Sequence, residues 1–200
     1  MADHTSIKRI CVFCGSKRGA RSVYTATAQQ LGKVMVSKGI GLVYGGGSIG
    51  LMGDIADTVL REKGNVIGVI PHALASKEFA HSGLTELRMV SSMHERKAMM
   101  AELSDAFIAM PGGFGTLDEL FEILTWAQLG FHAKPVGLLN VEGYFDLLLE
   151  FIHHVLRERF IGAKHRRLII ASNDPEDLLT ELIRCTHPSK IPQLLDWKET

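Results

Sequence analysis

Residues Ser104 to Trp126 read Ser-Asp-Ala-Phe-Ile-Ala-Met-Pro-Gly-Gly-Phe-Gly-Thr-Leu-Asp-Glu-Leu-Phe-Glu-Ile-Leu-Thr-Trp, and their pattern decides the fold. The apolar run from Ala106 to Met110 has the length of a strand. Pro111 and three glycines interrupt it, after which Leu117, Leu120, Phe121 and Leu124 recur at helical spacing. The stretch therefore predicts a strand, a tight turn and a helix. Gly112, Gly113 and Gly115 are expected to take backbone angles closed to other residues. The turn they form with Phe114 and Thr116 then exposes N–H groups at the positive end of the helix. Such a turn suits an anion.

Thr116 and Glu119 admit two readings. Thr-Leu-Asp-Glu has the spacing of a capping box, in which hydroxyl and carboxylate satisfy the free N–H groups of a helix start. Alternatively the hydroxyl meets a phosphate and the carboxylate enters the cleft at the strand's carboxyl end, where open α/β sheets bind ligands.

One element upstream, Ser92-Met-His-Glu95 repeats the capping-box spacing and starts a helix through Leu103. Arg96 and Lys97 then fall at the end of its first turn, where the macrodipole disfavours cations. Two readings stand here as well: solvated basic residues, or charges that answer to a phosphate or to a carboxylate such as Glu119. On the second reading Arg96→Ala is expected to leave thermal stability unchanged, because its place early in a helix gives it little structural reason to be there.

Towards the N-terminus, Arg9 to Phe13 predicts a first strand. The polar glycine turn Gly15-Ser-Lys-Arg-Gly19 follows, at a carboxyl end where it could touch a ligand, and a helix runs from about Ser22 to Lys38. Gly41 to Tyr44 is a second strand, and Gly45-Gly-Gly-Ser-Ile-Gly50 opens a helix to about Lys63. This G-x-G-x-x-G suggests a dinucleotide. The fingerprint also needs an acid at the end of the next strand, about 20 residues on. That strand, Val66 to Ile70, ends in Pro71-His72. The glycines are accordingly read as a close-packed strand-to-helix turn that could face a mononucleotide, and NAD is set aside.

Ala73 to Leu87 reads as a loop with a short helix, and Leu87 to Val90 as a short strand. Beyond the central stretch come a strand from Pro135 to Leu139, an amphipathic helix from Tyr144 to Arg159 with His153-His154 on its solvent face, and a strand from Leu168 to Ala171. A helix from Asp174-Pro175 ends near Cys185, and residues 186 to 200 form a polar tail. Alternating strands and helices predict an α/β, Rossmann-like single domain over residues 1 to 200, with a parallel sheet covered by helices on both faces.

Composition agrees with one well-buried domain: 200 residues, 46% of them hydrophobic. Lys plus Arg and Asp plus Glu both number 22, so no global basic field favours nucleic acid or an anionic membrane. No apolar run near the N-terminus is long enough for a signal segment or a span. Three cysteines, an odd number, fit a reducing, cytoplasmic setting better than a disulfide scaffold. Cys11 and Cys14 lack the second pair that a zinc site needs.

Pro111-Gly-Gly-Phe-Gly-Thr-Leu-Asp-Glu119 resembles the P-G-G-x-G-T-x-x-E motif of the LONELY GUY family, the cytokinin-activating phosphoribohydrolases often mislabelled lysine decarboxylases. The resemblance extends to Cys11-Val-Phe-Cys-Gly-Ser16, Tyr44 to Gly53, Met93-His-Glu-Arg-Lys97, Thr125-Trp-Ala-Gln-Leu-Gly130 and Lys134-Pro-Val-Gly-Leu-Leu-Asn140, thus about residues 9 to 162. It implies a Rossmann-like homodimer that cleaves the N-glycosidic bond of an N6-substituted adenosine 5′-monophosphate, giving free base and ribose 5-phosphate. By motif, Arg96 and Glu119 are the implied catalytic pair. Glu78, Lys97, Gly112 to Thr116 and Thr125 are the implied substrate contacts. Neither a metal nor an organic cofactor is implied.

The residues suit that chemistry in their own right. Breaking a ribosyl bond develops oxocarbenium character, which a carboxylate stabilises while orienting or deprotonating water. A cation offsets charge on the departing base, or fixes the phosphate or the carboxylate. Three rivals share parts of this signature: a nucleosidase acting on plain AMP, a non-catalytic nucleotide carrier on the same fold, and a pyridoxal-phosphate decarboxylase. A carrier has no need of the Glu119 and Arg96 pair, and nothing in the sequence marks a Schiff-base lysine.

Overall fold

The computed structural model describes residues 7–75 and 80–185, the side chain of Arg166 excepted. In chain order the elements are β1 (Arg9–Phe13), α1 (Ser22–Ser37), β2 (Gly41–Tyr44), α2 (Gly50–Arg61), β3 (Val66–Pro71), the single turn α3 (His72–Leu74), β4 (Glu86–Val90), α4 (Met93–Glu102), β5 (Ala106–Ala109), α5 (Phe114–Gln128), β6 (Val136–Leu139), α6 (Asp146–Arg157), β7 (Ile169–Ser172) and α7 (Pro175–Cys185). The expected elements are present, with ends that differ by a few residues. Helix α2 starts at Gly50 because the glycines before it form the turn. Helix α6 starts at Asp146 because a 3-10 turn occupies Val141–Gly143. The polar tail, residues 186 to 200, lies outside the described residues.

All seven strands are parallel, in the order β4-β3-β2-β1-β5-β6-β7. β1 is central, pairing Ile10 with Leu42 on one side and with Ala106 on the other. Strand residues alternate between two cores, as the pleat requires. Ile10, Val12, Leu42, Tyr44 and Ile108 pack with Leu31 and Met35 of α1, Leu51 and Ile55 of α2, and Leu178 and Leu182 of α7. Cys11, Phe13, Val43, Phe107 and Ala109 pack on the opposite face with Met100 of α4 and Leu120, Ile123 and Leu124 of α5. Burial on both faces is why β1, β2, β5 and β6 read as continuous apolar runs. Each fully buried Leu or Ile contributes about 1.5–3 kcal/mol.

Strand order reverses between β1 and β5, one neighbour leading to β2 and the other to β6. The crevice above their carboxyl ends is the ligand position of open α/β sheets. Two loops flank it: Cys14 to Arg21 after β1, and Met110 to Gly113 after β5. Cys11 and Cys14 are buried free thiols whose pKa burial pushes up, which makes them packing residues rather than nucleophiles.

Candidate active site

Helix α5 begins at Phe114, with Gly113 as its N-cap and no side chain capping it. The capping-box reading of Thr116 and Glu119 is therefore wrong: both lie inside the helix, on its buried side, at 4% and 8% exposure. The same T-x-x-E spacing that fits a cap also places two residues about 300° apart around a helix, so spacing alone does not tell them apart. Gly113 accepts the first intrahelical bond, from Leu117 N–H at 3.1 Å, so the N–H groups of Phe114, Gly115 and Thr116 have no carbonyl partner in their own helix.

The glycines serve differently from what their sequence suggests. None of Gly112, Gly113 and Gly115 has a positive φ. Gly112 is required because a Cβ there would stand 2.1 Å from Thr116 Oγ1 and 2.9 Å from the Gly15 nitrogen. A Cβ on Gly113 or Gly115 would meet nothing within 4 Å, which leaves the mouth of the turn open. Tyr144 Oη donates to the Gly112 carbonyl at 2.6 Å and holds the turn from the side.

Helix α4 contributes the facing cation. Ser92 caps it by accepting from Glu95 N–H at 3.1 Å, while the Glu95 carboxylate turns back to Ser91 rather than to Ser92. Arg96, one turn in, is 9% exposed. Its Nη1 donates to Glu119 Oε1 at 2.9 Å and its Nε to the Val69 carbonyl of β3 at 3.1 Å. The cation that is misplaced for its helix dipole is thus placed for Glu119. Burial pushes the Glu119 carboxyl above its ordinary range, and Arg96 offsets only part of that.

Gly45 is a site residue that sequence reasoning missed. A Cβ there would lie 1.9 Å from Arg96 Nη2, so the absence of a side chain just past the end of β2 makes room for the guanidinium. Gly45 has no positive φ to explain it, unlike Gly46. Tyr144 was also missed: its partner is a backbone carbonyl 32 positions away, which leaves no local pattern.

The remaining expected contacts are spread around this centre. Lys97 Nζ is held at 3.1 Å by both Asp118 and Glu122 of α5, which flank Glu119 on that helix. Phe114 projects from the turn at 93% exposure. Thr125 is exposed and donates to its own helix, to Phe121 O at 2.7 Å, and it lies about 9 Å along the axis from Glu119. Within one copy of the chain the structure does not bring Thr125 to the Arg96–Glu119 pair. Glu78 lies outside the described residues.

Two surface clefts, of about 530 Å³ beside Trp126, Phe131 and Lys134 and about 410 Å³ beside His153 and Arg157, contain none of the candidate residues. Among the described residues no group of three or more His, Cys, Asp or Glu side chains is placed to hold a metal, and no helix is long and apolar enough to cross a membrane.

The family model described as "possible lysine decarboxylase" matches residues 52–182. The chain is 53% identical over 175 residues to the cytokinin riboside 5′-monophosphate phosphoribohydrolase LOG of Oryza sativa subsp. japonica, covering 88% of this chain and 72% of that protein. It is 51% identical over 182 residues to LOG1 of Arabidopsis thaliana, covering 91% and 85%. Among solved structures, the molybdenum cofactor binding protein of Rippkaea orientalis superposes with a TM-score of 0.68 at 22% identity, over 90% of this chain and 96% of that one. The molybdenum cofactor carrier protein of Chlamydomonas reinhardtii does so with 0.68 at 20% identity, over 90% and 98%. At that identity these two structures share the fold. The sequence likeness, which spans the turn, the Arg96–Glu119 pair and most of the sheet, shows that the chain belongs to the LONELY GUY family.

Proposed function

We propose that the protein hydrolyses the N-glycosidic bond of N6-substituted adenosine 5′-monophosphates, releasing the free cytokinin base and ribose 5-phosphate. The observation that carries this reading is the buried ion pair of Arg96 and Glu119 beside a helix start with unpaired N–H groups. The 5′-phosphate meets the N–H groups of Phe114, Gly115 and Thr116 at the dipole's positive end. That anchors the ribose over Glu119.

As the bond from C1′ to the base nitrogen stretches, the Glu119 carboxylate stabilises the positive charge on the sugar and orients a water molecule. The water oxygen bonds to C1′, its proton passes to Glu119, and the base leaves with the bonding pair and takes up a proton. Arg96, fixed by the Val69 carbonyl, holds the carboxylate in place. Lys97, clamped by Asp118 and Glu122, supplies a second positive charge for the substrate from the neighbouring position of α4.

Relatives at 51–53% identity bear the name of this activity, whereas the carrier proteins share only the fold. A nucleosidase for plain AMP is the second reading, since the same turn and carboxylate serve it. Incubation of the purified protein with AMP and, separately, with N6-isopentenyl AMP tests both. Free base and ribose 5-phosphate from the N6-substituted substrate in preference to AMP is the expected result. Absence of base from either substrate contradicts the hydrolase reading.

The protein is further read as one cytoplasmic domain that pairs as a homodimer. Three unpaired cysteines support the compartment. The dimer is supported by the outer side of α5, where Phe114, Phe121 and Leu129 stand exposed in one stripe that also carries Thr125.

A further inference from the structure

The loop joining β1 to α1 plays no part in the reading above, yet it is pinned from both sides of the crevice. Gly15 N–H donates to the Pro111 carbonyl at 3.1 Å, and the Gly15 carbonyl accepts from Leu51 N–H at 3.0 Å. The loop is thereby bonded to the segment entering the phosphate turn and to the first turn of α2. Packing leaves no slack on either side: a Cβ on Gly112 would stand 2.9 Å from the Gly15 nitrogen, and one on Gly50 would stand 2.3 Å from the Ser16 carbonyl carbon.

One turn into α2, Asp54 anchors the same loop. Its carboxylate is almost fully buried and accepts from Arg18 Nε at 2.8 Å, from Arg18 Nη2 at 2.8 Å and from Thr25 Oγ1 at 3.1 Å. Arg18 itself is two-thirds exposed, and an ion pair open to solvent on one side contributes little to stability. What a two-point guanidinium fork provides is position. The fork closes a chain of contacts from α2 through Arg18 to Ser16, Gly15 and Pro111, ending at the turn that starts α5. Ser16 and Lys17, both exposed, sit in the middle of this chain, above the switch between β1 and β5.

We propose that Arg18 and Asp54 are positioning residues, which hold Ser16 and Lys17 against the Gly112–Thr116 turn so that the β1–α1 loop forms a second wall of the 5′-phosphate site. The inference rests on the proposed function, since it needs that turn to take the phosphate. Arg18 does not itself reach the anion, because its Nε and Nη2 are committed to Asp54. Its removal frees the loop, and the phosphate loses the hydroxyl and ammonium that the loop presents.

The test is titration calorimetry with ribose 5-phosphate on wild type, Arg18→Ala, Arg18→Lys, Asp54→Asn and the Arg18→Ala/Asp54→Asn double variant. Turnover of the nucleotide and of its nucleoside, and the melting temperature, are read alongside. Arg18→Ala and Asp54→Asn should each weaken ribose 5-phosphate binding about tenfold or more, the scale of one charge-assisted hydrogen bond. KM for the nucleotide rises to match, and efficiency on the nucleoside stays within about twofold, since it makes no phosphate contact. The double variant behaves like either single one, as expected of two residues acting as one device. Arg18→Lys, which keeps the charge and loses the fork, falls with Arg18→Ala. A lower melting temperature with unchanged ribose 5-phosphate affinity overturns the inference, as do equal losses on nucleotide and nucleoside. Wild type that binds no ribose 5-phosphate overturns the phosphate turn and this inference together, whereas a tight wild type matched by every variant overturns this inference alone.

Discussion

Glu119 is held between two opposing influences: burial favours its neutral form, and the Arg96 guanidinium at 2.9 Å favours its charge. Burial prevails, so its pKa lies above the ordinary carboxylate value of about 4.3. The proposed chemistry needs the ionised form. Activity therefore grows with pH as Glu119 loses its proton, and the acidic limb of kcat/KM should lie at higher pH than an ordinary carboxylate gives. Removing the Arg96 charge should move what remains of that limb higher still. A pH profile checks both, and a limb at the ordinary position contradicts the burial argument. Glu119→Gln should keep the fold by circular dichroism, still bind nucleotide, and lose about a hundredfold or more in turnover, the scale of an acid–base or electrostatic group. Activity within a few fold of wild type would make Glu119 a structural residue. Much of this centre is legible in the sequence: a cation early in a helix is a local misfit, and it pointed across to Glu119. The glycines were legible as a turn, but not in their role. A sequence does not reveal whether a missing Cβ frees φ, admits a neighbour, or clears space for a ligand.

The consecutive helices α4 and α5 are joined by Arg96 to Glu119 and by Lys97 to Asp118 and Glu122. The expectation that Arg96→Ala leaves stability untouched does not survive this geometry, because the substitution strands a buried carboxylate. We predict a loss of about 3 kcal/mol, the low end for breaking a buried pair, since Glu119 takes up a proton rather than stay charged and alone. The melting temperature falls by roughly 6–12 °C for a chain of this size. Adding Glu119→Gln to Arg96→Ala should return part of it. Gly45→Ala makes the complementary test. Its Cβ displaces the flexible end of Arg96 rather than backbone, so the fold is kept while turnover falls about tenfold or more with the lost orientation of Glu119. Unchanged turnover in Gly45→Ala would mean that the pair has no need of that space. The elements themselves were legible because parallel strands buried on both faces are short apolar runs between amphipathic helices. What joins them was not. Arg18 meets Asp54 across 36 positions and Tyr144 meets Gly112 across 32, and neither pair leaves a periodic trace.

At the scale of the whole molecule, the order of the strands makes the site. The reversal between β1 and β5 opens a crevice onto which α5 directs its N-terminus, and α4, packed beside α5 on the same face of the sheet, brings Arg96 to Glu119. Helix α5 also carries an exposed apolar stripe with Thr125 in it. Light scattering should return the mass of two chains, and Phe121→Glu, which puts a charge on that stripe, should return one; a wild type of single-chain mass contradicts the homodimer. The central claim is that a helix start with unpaired N–H groups takes a 5′-phosphate and through it sets the ribose over Glu119. The direct measurement is the efficiency of base release from N6-isopentenyl AMP against that from N6-isopentenyl adenosine under the same conditions. The nucleoside leaves the charge-assisted bonds of the turn unmade, at about 1.5–3 kcal/mol each, so the account predicts a preference of roughly a hundredfold or more for the monophosphate, in turnover as well as in binding. Equal efficiency on the two substrates would contradict it.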